Sequence, residues 1–437
     1  MNNLRLLTGL LAAVLSGGGV CAYGQRVITL EEVYDSAERN SAQLRPYFTA
    51  DEVAAREVAE ARSAMLPDIN ATLSVSYIGD GFTTKRDFSD YERAPIPHFG
   101  NGLSLSVNQP VYTGGAITAG VDMAREKSAA SRLATELKRD NLRLQLTGFY
   151  LDLYKYSNLR AVVEQNLAQA RKVLDEMNAR YEQGTALRND ITRYELLVSN
   201  LDLQLIKIAN TLEILNRNLV TMAGLPEGTI VVPDTTILNR SLPVSSESGW
   251  AADARSLSPV IGLARQEVSI SRTAEKLVGS DRLPKVGLQA GWSIDGPILV
   301  EVPPIDRNLS YWYVGVGVSY NISSLFKTNK SVARSRVATL RAEQQLEAAR
   351  ENIDIALHAD YVRYMEAYEE VRTQEKSVEL ARSNYSTVAT RYAEDMALIT
   401  DMLDAANSQL DSEQRLVNAR IDVIYYYYKL LFTSGKI

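Results

Sequence analysis

The chain has 437 residues, with 53 acidic residues against 47 basic residues, and a formal net charge of −6 that argues against a nucleic-acid partner. Its single cysteine, Cys21, excludes a disulfide framework and a cysteine-based metal site. After residue 24 no run of 18 or more apolar residues occurs, so an ordinary transmembrane helix is not expected.

The first 24 residues have the features of a secretory signal. A basic residue and an apolar run precede the small-residue sequence AYG at 22–24, which predicts cleavage before Gln25. Lipid attachment at Cys21 is the alternative, but Val20 and Gly18 match the lipid-anchor motif poorly. We therefore expect an exported chain that begins at Gln25 and retains no cysteine.

Short helices are predicted at 30–66 and 259–279, and each leads into a pair of segments in which apolar and small polar residues alternate. Because successive side chains of a strand point to opposite faces, these segments are predicted to be strands with one apolar and one polar face. The alternating segments are residues 69–77, 103–108, 286–292 and 312–320. The apolar faces include Leu73, Val75, Leu105, Val107, Leu288, Val314, Val316 and Val318.

Long helices follow each pair of strands. No proline occurs in 116–183, and at about 1.5 Å per residue a helix of this length would approach 100 Å. Apolar residues recur at spacings of three and four through its lower half, through 187–222 and again through 357–392, and this sustained pattern predicts a coiled coil. With a return helix at 399–432, the four helices are predicted to form two antiparallel hairpins.

The chain contains one unit twice. Arg180-Tyr181 recurs as Arg391-Tyr392, and Asp190 recurs as Asp401, each 211 residues later (391 − 180 = 211). The predicted organisation is a signal (1–24), a first repeat (25–223, with a β-hairpin at 68–111 and a helical hairpin at 116–223), a linker (224–258) and a second repeat (259–437, with a β-hairpin at 285–322 and a helical hairpin at 328–432).

Strands of this kind occur in soluble sandwiches, but four of them fit a barrel in a lipid bilayer better, where a tilted strand of about nine or ten residues makes the crossing. Aromatic residues near the strand ends support this interpretation, because they are typical of a membrane interface. Four strands alone would leave unpaired backbone edges in lipid, so several copies are expected to close one barrel. These aromatic residues are Tyr77, Phe82, Trp292, Tyr311, Trp312 and Tyr313.

The motifs at the junctions resemble those of the TolC family of outer-membrane efflux proteins, and the resemblance covers nearly the whole chain after the signal. They are Leu66-Pro67, Leu283-Pro284, NQPVYTGG at 108–115, YEQG at 181–184 and ITDMLDA at 399–405. The resemblance implies a homotrimer with a twelve-stranded β-barrel, four strands from each protomer, continued by a periplasmic coiled-coil tube. It also implies the outer membrane of a Gram-negative bacterium, a periplasmic adaptor, and an inner-membrane RND or ABC transporter as partners.

Within this resemblance, Asp401 and Asp404 look like the aspartates at the periplasmic opening of the family channel. Spaced three apart, they share a helix face, and in a trimer they would form a ring that attracts and binds cations. The alternative is helix capping, which explains Asp401 but does not require Asp404.

Tyr392 and Asp190 resemble a family pair that holds neighbouring hairpins closed. Two departures affect this latch and its turn: Ala397 stands where the family often has arginine, and Asp395 stands where glycine is expected. The spacing of Tyr392 also fits an ordinary position in the coiled-coil seam.

The expected function is passive export, either of small molecules or of proteins through an ABC-type system. A nutrient porin needs only the barrel, and a structural coiled-coil protein of the envelope would not explain the strands. An enzyme is not expected, because no nucleophile, metal or cofactor constellation is present, and His98 and His358 lie apart in the sequence.

Overall fold

The computed structural model describes residues 25–234, 242, 245–301, 303–394 and 396–437. The predicted signal with Cys21, and Asp395 in the predicted second turn, lie outside these residues. The described chain is mostly helical. Its elements are β1 (Gln25–Ile28), α1 (Leu30–Asn40), α2 (Arg45–Ser63), β2 (Asp68–Tyr77), β3 (Gly81–Thr83), β4 (Glu92–Ala94), β5 (Phe99–Tyr112), α3 (Ala116–Glu182), α4 (Arg188–Ala223), β6 (Ile230–Pro233), α5 (Glu247–Leu257), α6 (Pro259–Ser280), β7 (Lys285–Gly296), β8 (Leu309–Ser319), α7 (Ser324–Ala393) and α8 (Ile399–Ser434).

The chain forms two compact units, and each draws on both sequence halves. One unit, from residues 46–137 and 257–354, contains an antiparallel sheet with strand order β2-β5-β7-β8. The pairing of β5 with β7 joins the strands of the two halves, with Leu105 opposite Trp292 and Val107 opposite Ala290. The outer strands of this sheet are β2 and β8.

The strand register places the predicted apolar residues on one face of the sheet. One row runs Ala71, Leu105, Trp292 and Trp312 across all four strands. The side chains on this face are largely exposed in the single chain, including Leu73 at 74% and Val314 at 72%. Such a continuous exposed apolar surface is uncommon on a soluble monomer and indicates contact with lipid or protein.

The opposite face of the sheet carries small and polar side chains. Thr72, Ser104 and Ser293 form one such row, and the Ser74 hydroxyl donates to the carbonyl oxygen of Gly102 at 3.4 Å. The alternation that was visible in the sequence therefore separates an apolar face from a polar face over most of the sheet.

Polar contacts join the helices of this unit. The Glu126 carboxylate of α3 accepts hydrogen bonds from Ser269 and Thr273 of α6, at 2.9 and 3.0 Å. On α7, Arg336 forms an ion pair with Glu275 of α6 at 3.0 Å. These contacts fix α6 against the long helices that continue from the sheet.

The other unit, from residues 25–45, 138–256 and 355–437 among those described, contains the main hydrophobic core. Leu146 and Leu219 are fully buried in it. The strands β1 and β6 pair in parallel and pack against this core. Tyr150 donates a hydrogen bond to the Ile28 carbonyl at 2.8 Å, and burial raises the pKa of Tyr150 to about 12.

Among the helices of the described residues, none is both long enough and apolar enough to cross a lipid bilayer.

Candidate functional site at the turns of the helical hairpins

The two helical hairpins have the same construction. α3 ends at Glu182 and α7 at Ala393, and α4 and α8 begin at Arg188 and Ile399, so both boundaries differ by 211 residues (393 − 182 and 399 − 188). The turns also share a backbone hydrogen bond, from Thr185 to Arg180 at 2.9 Å in the first hairpin and from Met396 to Arg391 at 2.8 Å in the second.

In the first turn, Gly184 has a φ of 76°, and its N–H donates to the Tyr181 carbonyl at 2.9 Å. A residue in the left-handed conformation just after a helix lets the last carbonyl oxygens of that helix accept hydrogen bonds. Glycine adopts this conformation without the steric cost that other residues carry.

Asp401 and Asp404 lie in the first two turns of α8, and both are exposed. The Asp401 carboxylate accepts a hydrogen bond from the Leu398 backbone N–H at 3.1 Å. The side chain of Asp404 makes no hydrogen bond or ion pair with any residue that the structure describes. The structure therefore gives Asp401 a capping contact, whereas the carboxylate of Asp404 is left available to solvent.

Tyr392 lies in the last turn of α7 and contacts Arg180 of α3. The Arg180 guanidinium lies 5.8 Å from the centre of the Tyr392 ring and donates to the carbonyl oxygens of Tyr392 and Ala393, at 3.4 and 3.2 Å. A cation at the C-terminus of a helix is favourable, because the last carbonyls carry partial negative charge. Arg180 thus joins the first hairpin to the end of α7 in the second hairpin.

The sequence did not identify Arg180 as a latch residue. The sequence shows that Arg180 recurs as Arg391. It does not show which helix Arg180 contacts, because that depends on how the two hairpins pack. The predicted partner of Tyr392, Asp190, is half-buried in the first turn of α4, and the Tyr392–Asp190 latch stays a prediction.

A buried polar cluster lies farther from the turns, between the same hairpins. Glu413 of α8 has a side chain that is only 4% exposed, and it pairs with Arg382 of α7 at 2.7 Å. Its carboxylate also accepts hydrogen bonds from Asn166 of α3 and Gln409 of α8, at 3.1 and 3.3 Å. Arg382 is a charged residue within the apolar pattern of residues 357–392, and its guanidinium neutralises this buried carboxylate.

Removal of Arg382 should destabilise this region. Glu413 would lose its cation, but the Arg382 side chain is itself 59% exposed, and Asn166 and Gln409 would still donate to the carboxylate. We therefore expect Arg382→Ala to lower the free energy of unfolding by about 2 kcal/mol, less than the loss of a fully buried ion pair.

The matched control is Arg415→Ala, which breaks an exposed pair with Asp411 and should cost less than about 1 kcal/mol. Thermal unfolding of the purified proteins, followed by circular dichroism, measures both, and equal losses of stability would contradict the role assigned to Arg382.

Two tyrosines form another contact between the hairpins. Tyr194 of α4 is 1% exposed and lies beside Tyr385 of α7, which is 9% exposed. Burial and the neighbouring Tyr385 raise the pKa of Tyr194 well above its ordinary value, so the phenol stays protonated. This pair therefore adds a buried, uncharged contact between α4 and α7.

Neither histidine belongs to a cluster with metal-binding character. His98 contacts the Ile78 carbonyl, and His358 contacts Glu247, each at 2.8 Å. Within the described ranges, no group of three or more His, Cys, Asp or Glu residues is arranged to hold a metal ion.

Comparison with known proteins gives one family. The family model for "Outer membrane efflux protein" matches residues 33–225 and 250–426. TolC of Vibrio cholerae is 21% identical over 396 residues, which cover 90% of this chain and 88% of TolC. The outer membrane efflux protein BepC of Brucella suis is 23% identical over 429 residues, which cover 97% of this chain and 89% of BepC.

A solved structure has the same fold. The crystal structure of the outer membrane protein VceC from Vibrio cholerae superimposes with a TM-score of 0.76 at 15% identity, covering 93% of this chain and 96% of VceC. The family model spans both β-hairpins. It also spans nearly all of both helical hairpins, whose turns form the candidate site. The chain therefore belongs to the outer membrane efflux protein family.

Proposed function

We propose that three copies of this chain form a passive export duct, with a twelve-stranded β-barrel in the outer membrane and a coiled-coil tube in the periplasm. The observation that carries the proposal is the exposed apolar face of the four-stranded sheet in a member of an outer-membrane efflux family. The chain is an outer-membrane protein rather than an enzyme.

The edges of the sheet support assembly from several copies. Its outer strands, β2 and β8, each have one edge that is not paired within the sheet. Lipid offers no hydrogen bonds to backbone groups, so a spanning sheet has to be closed into a barrel. Pairing β8 of one copy with β2 of the next would close it, and three copies supply twelve strands.

The polar face of each strand would then line the interior of the barrel, and the apolar face would contact lipid, as in other outer-membrane barrels. The long helices would continue this passage into the periplasm. The partners proposed with this role are a periplasmic adaptor and an inner-membrane RND or ABC transporter, which supplies the energy that a passive duct lacks. Protein secretion by an ABC-type system is the alternative cargo class.

The turns of the helical hairpins are the proposed closing region. Asp401 and Asp404 are proposed as the gate aspartates, and Tyr392 and Asp190 as the latch. The exposure of both aspartates and the contact of Arg180 with Tyr392 support this role. Carboxylates around a narrow opening attract cations, and a ring of them can also hold a multivalent cation that blocks the passage.

The test of this proposal is the assembly of the protein. Extracted from the outer membrane in detergent, the full-length protein is expected to have the mass of a trimer and to form conducting channels in a planar bilayer, because one chain cannot close the barrel. Light scattering gives the mass after correction for detergent. A stable monomer with the same strand content would contradict the proposal.

A further inference from the structure

Near its start, α7 carries four basic side chains on one face, which we call the basic stripe. They are Lys327, Lys330, Arg334 and Arg341. Their spacings of three, four and seven residues place them on one side of a helix. All four are exposed, and none makes a hydrogen bond or ion pair with a residue that the structure describes. Residues 324–342 include no acidic residue, so this stretch of α7 leaves the four cations unbalanced.

The first repeat has no counterpart of the basic stripe. The equivalent positions in α3, 211 residues earlier, hold Ala116, Ala119, Met123 and Ala130. The buried positions nevertheless match, because Val332 and Thr339 of α7 correspond to Val121 and Ser128 of α3 (332 − 211 and 339 − 211), and all four are buried. Both helices therefore bury the same positions, and this packing in α3 needs no cations on the neighbouring face.

The side of the sheet on which the stripe begins follows from Lys327. An open pocket of about 470 Å³ lies between residues 281–285 and the start of α7, and Lys285, Ser319 and Lys327 line it. Lys285 and Ser319 are opposite each other in register at the ends of β7 and β8, next to the apolar pair Val286 and Val318. Because side chains alternate along a strand, Lys285 and Ser319 belong to the polar face. The basic stripe therefore begins on the side of the polar face, which lines the proposed duct.

The same pocket contains a buried hydroxyl without a partner. Ser324, the first residue of α7, lines the pocket and is 5% exposed, and its hydroxyl has no hydrogen-bond partner among the described residues. Leaving a buried polar group unpaired costs free energy, so a bound group that accepts this hydrogen bond is favoured. The start of a helix carries partial positive charge, which favours an anion in that position.

The pocket also has a positive formal charge. Asp281 is its one acidic lining residue, and its carboxylate lies 3.8 Å from the Lys285 ammonium group. Lys327 makes no ion pair with any residue in the described part of the chain, so the lining retains one net positive charge. An oxyanion therefore meets a cation, a hydroxyl donor and the positive end of a long helix in one pocket.

We propose that this pocket and the basic stripe bind the oxyanion groups, phosphate or carboxylate, of an anionic cargo inside the duct. The inference rests on the export duct proposed above and specifies the charge of its cargo. Three copies would place twelve basic side chains around the passage next to the barrel (3 × 4). Rings of lysine and arginine side chains attract anions in pores, and their combined field raises the local concentration of anions.

Block of the channel by a polyvalent anion tests the basic stripe. Inorganic tripolyphosphate, added on the barrel side of a planar bilayer, should interrupt the current through the unsubstituted trimer. A variant with all four stripe residues changed to glutamine should raise the half-blocking concentration by about tenfold or more, because a charged passage concentrates counter-ions by at least that factor. The matched control is Arg350→Gln, which removes an arginine on another face of α7 that pairs with Glu347 at 2.6 Å and should leave the block unchanged.

The pocket is tested by removing its unpaired hydroxyl. Ser324→Ala should shorten each blocking event by tripolyphosphate while the current without the anion stays the same. Thr339→Val is the control, because it removes a hydroxyl of α7 that is buried but already donates to the Ser335 carbonyl at 3.2 Å. It should leave the blocking events unchanged. Citrate repeats each measurement, and the ratio of the half-blocking concentrations shows whether the site prefers phosphate or carboxylate.

The outcomes separate this inference from the export duct itself. If the fourfold variant forms conducting trimers that tripolyphosphate blocks at the unchanged concentration, the basic stripe is not an anion site and the duct stands. If the fourfold variant does not assemble, the double variant Lys327→Gln and Lys330→Gln carries the same test, and an unchanged half-blocking concentration overturns the inference. If the unsubstituted protein forms neither trimers nor channels, the proposed duct fails.

Discussion

Replacing both Asp401 and Asp404 by alanine is expected to abolish block of the channel by trivalent cations and to reduce its preference for cations. Two aspartates in each of three copies would place six carboxylates around the periplasmic opening. Their combined field concentrates cations there, and close carboxylates together can hold a multivalent ion. Without them the opening loses its binding site for the blocking ion.

Single variants separate this role from capping. Asp401 accepts the Leu398 N–H, so Asp401→Ala should also cost about 1 kcal/mol of local helix stability. Asp404 makes no such contact among the described residues, so Asp404→Ala should weaken cation block without loss of helix stability. The second variant therefore reports on the gate without disturbing the start of α8.

Planar-bilayer conductance, with and without a trivalent cation, measures the effect, and the reversal potential in a salt gradient measures the ion preference. The trimer mass and the circular dichroism spectrum of each variant serve as controls for folding. If the folded double variant keeps the block and the cation preference of the unsubstituted channel, Asp401 and Asp404 are structural residues and the gate lies elsewhere.

A charged residue on the apolar face of the sheet is expected to prevent insertion of the protein into the outer membrane. Val316 is 67% exposed on β8, and Leu73 is 74% exposed on β2. In the barrel these side chains would face lipid near the middle of the bilayer, where an arginine costs about 2–4 kcal/mol. Val316→Arg and Leu73→Arg should therefore reduce the yield of inserted trimer severely.

The neighbouring residue provides the matched control. Ser74 follows Leu73 in the same strand, so its side chain points to the polar face, where an arginine would remain in water. Ser74→Arg should insert nearly as well as the unsubstituted chain. The measurement is the amount of heat-modifiable trimer in purified outer membranes, and equal amounts from all three variants would show that the two faces have been assigned the wrong way round.

Several features of the protein were determined by local sequence alone. Apolar and polar residues that alternate with a period of two predicted the strands, and apolar residues at spacings of three and four predicted the long helices. Each pattern arises because a strand or a helix places its apolar side chains on one face. The resemblance at 108–115 and 399–405 identified the family, and the family match confirms it together with the outer-membrane location and the absence of an enzymatic role. The domain boundaries and the roles of Asp401, Asp404, Tyr392 and Asp190 stay predictions.

Other features depended on how distant segments pack. The pairing of β5 with β7, the burial of Glu413 beside Asn166 and the contact of Arg180 with Tyr392 all join residues that lie more than 170 positions apart. Local periodicity gives the face that a helix buries, but the partner of a given side chain depends on the rotation and the axial position of one helix against another. Arg180 and Arg391 stand at equivalent positions of the repeat, and only the tertiary structure shows that the Arg180 side chain contacts the end of α7.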